Sequence, residues 1–120
     1  MVTTSVPQTR EALRATLVKS LDVLTTEMPV PYKVRLRVAY IKDCYGTCDF
    51  RKTNRDGEHF LITICPMSFP PTMDGLQVCL ETLTHEYAHA YSWVIASTDG
   101  GHGEAWGCAY AGCYRALNGD

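Results

Sequence analysis

Basic charge is almost missing from the second half of this 120-residue chain: after Arg55 only Arg115 carries one, against eight acidic side chains. Long apolar runs are missing too, since no stretch approaches the roughly 18 consecutive apolar residues that a membrane span needs. The N-terminal Met1-Val2-Thr3-Thr4-Ser5-Val6-Pro7 lacks a basic start followed by an apolar run, so no secretory leader is expected. A chain of this kind is expected in the cytoplasm, away from membranes, with its six cysteines as thiols. Linkers and internal repeats are not evident. With 46% hydrophobic and 20% charged residues, residues 1–120 should form one globular domain, expected as a monomer. Histidine is also scarce, but three of the four fall within one short stretch, at positions 85, 89 and 102.

The net charge of −2 hides a strong asymmetry, because residues 33–55 carry seven basic and two acidic side chains. The seven are Lys33, Arg35, Arg37, Lys42, Arg51, Lys52 and Arg55. Two readings stand equally: a positive face turned to a polyanion such as nucleic acid, or the wet side of a half-buried sheet. The first would put the protein in contact with DNA, in a nucleoid or nucleus.

Leu13, Leu17, Leu21, Leu24 and Met28 recur at three- and four-residue steps and predict an amphipathic helix from about Thr9 to Glu27, ended by Pro29 and Pro31. Val34, Leu36, Val38 and Tyr40 alternate with Arg35 and Arg37, the period of a strand with one face on the core. A second strand is expected around Thr47 to Lys52. The Asn54-Arg55-Asp56-Gly57 turn then leads into a third, His59 to Cys65. Pro66, Pro70 and Pro71 interrupt the pattern, and Asp74-Gly75-Leu76-Gln77 has the form of a capping box opening a long helix. Leu76, Leu80, Leu83, Tyr87, Tyr91 and Val94 would be its buried stripe and Asp99-Gly100-Gly101 its stop. A last helix is expected from about Glu104 to Leu117, with Trp106, Tyr110, Cys113 and Leu117 near helical spacing and Gly107 and Gly112 weakening it. The fold class is therefore α+β and zincin-like: an N-terminal helix, a small three-stranded antiparallel sheet, a long central helix and a C-terminal helix.

The long helix carries His85-Glu86-Tyr87-Ala88-His89. This HExxH spacing puts two imidazoles one turn apart on one face, which suits zinc, with Glu86 as general base for a zinc-bound water. A hydrolytic zinc site takes three protein ligands and keeps a fourth position open. His102, in Gly101-His102-Gly103, is favoured as the third ligand over Glu104. Ser92 and Ile95 stand where a metzincin needs Gly and His, so that class is excluded. A zinc endopeptidase is the leading reading, and the alternative is a non-proteolytic zinc-containing module that binds DNA or a partner protein. The strand preceding the active-site helix is expected to hold substrate extended, by main-chain hydrogen bonds and with little side-chain selectivity.

Other polar residues read more plainly. Cys44, Cys48 and Cys65 fall on neighbouring strands and form either a second metal site or, more simply, buried thiols, since the spacing matches no standard Cys₄ pattern. Cys79, Cys108 and Cys113 are expected in the core and His59 at the surface or capping a turn. Tyr87, Tyr91 and Tyr110 are oxyanion-stabilising candidates for which a core role is the simpler reading.

Over roughly residues 32–118 the chain resembles the SprT-like zinc metalloproteases, most closely the Spartan group of that family. The resemblance rests on Cys44-Tyr45-Gly46-Thr47-Cys48, on Glu81-Thr82-Leu83-Thr84-His85-Glu86-Tyr87-Ala88-His89-Ala90-Tyr91, and on Gly101-His102-Gly103 with Trp106 after it. It implies His85, His89 and His102 as zinc ligands, Glu86 as catalytic base, and DNA-dependent cleavage of proteins on DNA, covalent DNA-protein crosslinks included. DNA and protein substrates are the partners it implies. The chain departs from the family pattern where Glu104 directly follows Gly103 and where Trp106 takes the place of the usual Phe, which implies a differently shaped pocket floor.

Overall fold

A computed structural model describes residues 9–42, 44–66, 73–96 and 102–119. Helix α1 spans Arg10–Glu27, with Thr9 as its N-cap accepting the Ala12 amide on Oγ1 at 3.0 Å. Its leucines 13, 17, 21 and 24 are all buried, as the periodicity predicts. Strands β1 (Lys33–Val38), β2 (Gly46–Thr53) and β3 (Gly57–Ile64) follow, then helices α2 (Met73–Ala96) and α3 (Glu104–Asn118). The predicted breaks at Pro70 and Pro71 and the helix stop at Asp99-Gly100-Gly101 lie outside the described residues. So does the Asp74 side chain of the predicted capping box, although Asp74 itself falls just inside α2.

The α+β class and the three helices stand, but the sheet is mixed and not antiparallel throughout. Its order is β1-β3-β2, with β1 parallel to β3 (Leu36 opposite Ile62) and β2 antiparallel to it (Cys48 opposite Ile62). The reason lies in β3, whose residues from His59 to Ile64 are all buried. A strand hidden on both faces belongs in the middle, whereas β2, with Asp49, Arg51 and Lys52 exposed, suits an edge. The β2–β3 hairpin turns through Gly57 at φ 63°, a left-handed conformation that glycine adopts without strain. The link from β1 to β2 then passes around the end of β3, where Ala39 N–H donates to Ile64 O and Cys65 N–H to Tyr45 O.

Helix α2 is the hub, packing against α1, α3, β2 and β3. One core unites the α1 leucines with Leu36, Ile62, Ile64, Leu76, Cys79, Leu83, Tyr87, Ala88, Ala109 and Cys113. Each fully buried leucine in it contributes about 2 kcal/mol of transfer free energy. Tyr87 is wholly buried and its hydroxyl donates to Met28 O at 2.6 Å, tying α2 to the end of α1. His59 is buried and not at the surface, because β3 is central, but its Nδ1 lies 3.0 Å from Gly57 O at the turn, in keeping with the capping alternative. Cys108 is exposed where a core role is predicted, since Ala109 and Cys113 define the inner face of α3.

Candidate active site

Two turns of α2 set the site. His85 and His89 project from one face, and His102 reaches them from the residues preceding α3. The three Nε2 atoms stand 3.1, 3.2 and 3.3 Å from one another. A ring nitrogen holds either a proton or a lone pair, so these three mutual contacts cannot all be hydrogen bonds. A tetrahedral zinc centre with bonds of 2.0–2.1 Å separates its ligand nitrogens by about 3.3–3.4 Å, close to the spacing found. Burial pushes the pKa of His85 and His89 down, with neighbouring imidazoles adding to it, which leaves neutral rings with lone pairs to offer. The residues therefore fit a metal of the zinc type. Glu104 is not a member of this group.

Trp106 forms the floor. Its ring centroid lies 5.0, 5.7 and 4.8 Å from those of His85, His89 and His102, and its Nε1–H donates to His85 O at 3.3 Å. One indole thus supports three rings at the pocket floor, where the resemblance put residue 106. His89 Nδ1 is buried with no hydrogen-bond partner among the described residues, and the ring packs against Trp106.

Glu86 is buried, and its Oε2 lies 3.9 Å from His85 Nε2. Burial, then the charge of Asp49, pushes its pKa up to about 7, which suits a group that must both take and return a proton at neutral pH. Gly46 at the start of β2 is what lets the strand come this close: a β-carbon there would lie 2.9 Å from Thr63 O and 3.5 Å from Glu86 Cγ.

Two cavities flank Glu86 and share Gly46 with it. One, of about 520 Å³, has Tyr45, Glu81, Thr82, His85 and Tyr110 in its wall. The other, of about 470 Å³, is walled by Phe50, Phe60, Trp93 and His89. Of the three tyrosines considered for the oxyanion, Tyr110 borders the cleft, whereas Tyr87 is spent on Met28. The strand edge beside the cleft is β2, not β3, which directly precedes α2 in the chain but sits mid-sheet. Cys48, half-buried at this edge, has its thiol pushed up to about 12 by burial and by Glu86 and Asp49, so it stays protonated and unreactive. All six cysteines are free, and among the described residues His85, His89 and His102 are the sole group able to share a metal. Cys44, Cys48 and Cys65 do not converge.

The basic residues divide. Lys33 Nζ and Arg35 Nη1 bind Asp56 at 3.0 and 2.7 Å and hold its carboxyl down at about 2. Arg35, Arg37 and Arg51, joined by Arg14 from α1, line a cavity of about 410 Å³ on the sheet face away from α2. Lys42, Lys52 and Arg55 are exposed and do not line it.

Among the described residues no helix is long and apolar enough to cross a membrane. Comparison with curated proteins and with solved structures finds no match. A family model does match, over residues 15–119, and those residues contain every element of the fold except the first turn of α1. The chain therefore belongs to the SprT-like family, a family of metallopeptidase-like domains.

Proposed function

We propose that the chain is a zinc-dependent endopeptidase acting on proteins held on DNA, crosslinked proteins among them. The observation that carries this reading is the convergence of the His85, His89 and His102 Nε2 atoms beside the buried carboxylate of Glu86. Zinc bound there would supply Lewis acidity and a water acidic enough to ionise near neutral pH. With a metal held there, Glu86 would be placed to take a proton from an attacking water and return it to the leaving amine. The edge of β2, unpaired among the described residues, offers main-chain donors and acceptors to an extended peptide, which suits unfolded segments better than compact ones. Trp106 keeps the three imidazoles in register while substrate comes and goes. The arginine-lined cavity on the opposite face supports DNA as the second partner, because phosphates held there would leave the cleft free.

The test is incubation of the zinc-loaded protein with a DNA-binding protein, with and without single-stranded DNA, beside the Glu86→Gln variant. Cleavage that needs metal, rises with DNA and vanishes in Glu86→Gln is the expected result. A variant that keeps metal and fold and loses no function would make the chain a binding module.

A further inference from the structure

We propose that the cavity walled by Phe50, Phe60 and Trp93 is a subsite for a large apolar side chain flanking the scissile bond; the inference rests on the peptidase reading above. Four rings make its wall and backing. Phe50 lies 4.9 Å from Trp93 and 5.1 Å from Phe60, and Tyr32 stands behind all three at 5.1 to 6.2 Å. A purely structural cluster would close on itself, as Phe60 does at 3% exposure. Phe50 instead keeps 39% of its surface exposed on the edge strand, and Trp93 is half-buried. Both turn ring surface to a cavity whose remaining wall includes Glu86 and His89. Aromatic surface left open beside reacting groups is completed by an apolar partner that excludes water.

The other cavity beside Glu86 is of a different kind. Glu81, Thr82, Tyr45 and Tyr110 give it hydroxyls and a carboxylate, which suit a polar side chain. Glu86 and Gly46 belong to both cavities, so the catalytic carboxylate stands at their junction. A peptide laid along β2 past Glu86 therefore meets an aromatic wall on one side of the bond to be cut and a polar wall on the other. Main-chain pairing alone is indifferent to side chains. The aromatic cavity adds a preference at one position.

The experiment has a mapping arm, a kinetic arm and a binding arm. Products of an unfolded protein digested by the zinc-loaded enzyme are sequenced by mass spectrometry, and large apolar residues should be enriched at least fivefold at one of the two positions flanking the cut. Matched fluorogenic peptides differing only there, Leu or Phe against Asp, should differ at least tenfold in kcat/KM, within the range hydrophobic pockets achieve. Phe50→Ala, on an exposed strand position, should collapse that ratio to less than threefold. Trp93→Leu should do the same, and if it does not fold Phe50→Ala decides alone. In the binding arm, anisotropy of labelled peptides on metal-loaded Glu86→Gln should show the same preference without turnover. Cleavage with no apolar enrichment and an unchanged ratio in Phe50→Ala overturns the subsite and leaves the peptidase reading intact. Absence of any cleavage by the wild type overturns the peptidase reading, and equal binding of Phe and Asp peptides then overturns the subsite as well.

Discussion

Gly46 and Thr82 stand so close that a β-carbon on residue 46 would lie 2.6 Å from the Thr82 methyl carbon, nearer than real β-carbons come. That contact joins β2 to α2 beside Glu86. Gly46→Ala must displace something, because the Thr63 backbone carbonyl, 2.9 Å from the added carbon, crowds it much as the Thr82 methyl does. It should cost about 1–3 kcal/mol of stability, as overpacking does, and at least tenfold in cleavage. Gly107→Ala is the control: nothing lies within 4 Å of its β-carbon, and in the interior of α3 the change should gain roughly 0.5–1 kcal/mol. Thermal denaturation of the two variants beside the wild type checks both signs. Unaltered melting and cleavage in Gly46→Ala would sink the first.

Metal content gives the second prediction. One zinc per chain is expected, and His85→Ala, His89→Ala and His102→Ala should each weaken binding at least a hundredfold in competition with a chromophoric chelator. Zinc at a hundred times its Kd should stabilise the folded protein by about 2.7 kcal/mol, read as a rise in Tm that the three variants lack. Full affinity in His102→Ala would remove that residue from the ligand set.

A third follows from Glu86. In the metal-free protein its pKa of about 7 stands above the ordinary 4.5, so the folded state holds a proton that the unfolded state releases. This contribution is complete below about pH 4.5 and is lost as pH rises through 7. Its size is about 2 kcal/mol once partial solvent screening is allowed for. His85 and His89, with lowered pKa values, work in the opposite sense, so the quantity to read is wild type minus Glu86→Gln, which keeps both histidines. Gln stands in for the protonated carboxyl, so the denaturant midpoints of the two should lie close together near pH 4 and diverge toward pH 8, where the wild type becomes the less stable. Added zinc should flatten the difference, because a dication favours the carboxylate.

The helices were legible because their signal is local. Leu13, Leu17, Leu21 and Leu24 share a face by spacing alone, and the same spacing brings His85 to His89. Sheet order was less accessible, since period two says which side chains face inward and nothing of which strand lies alongside. The clue was Phe60-Leu61-Ile62-Thr63-Ile64-Cys65, an apolar run broken only by Thr63, which marks a central strand. Trp106 was legible at the pocket floor only through the family resemblance, and the close approach at Gly46 was not legible: the first acts through three histidines and the second through Thr82, contacts that exist only once α2 is in place. The charge asymmetry is softened just beyond its boundary. Asp56 lies one residue past the basic stretch and already holds Lys33 and Arg35.

That pairing decides how DNA binding should be tested. Replacing Arg35 would leave Asp56 beside a lost partner and confuse a binding defect with a stability defect. Arg37 and Arg51 are exposed, line the same cavity and form no described ion pair, so Arg37→Glu with Arg51→Glu is the cleaner variant. If phosphates sit in that cavity, affinity for single-stranded DNA should fall steeply with salt in the wild type. The log–log slope should drop by about 0.7 for each phosphate contact removed on a single strand. Sequence preference should not change, since such contacts position a strand without reading it. DNA-stimulated cleavage should fall with affinity, while cleavage of a short peptide without DNA stays nearly constant because the cavity faces away from the cleft. A folded double variant with unchanged affinity and salt slope would leave the arginines as the solvated side of a sheet, and DNA would then be withdrawn as a partner of this face.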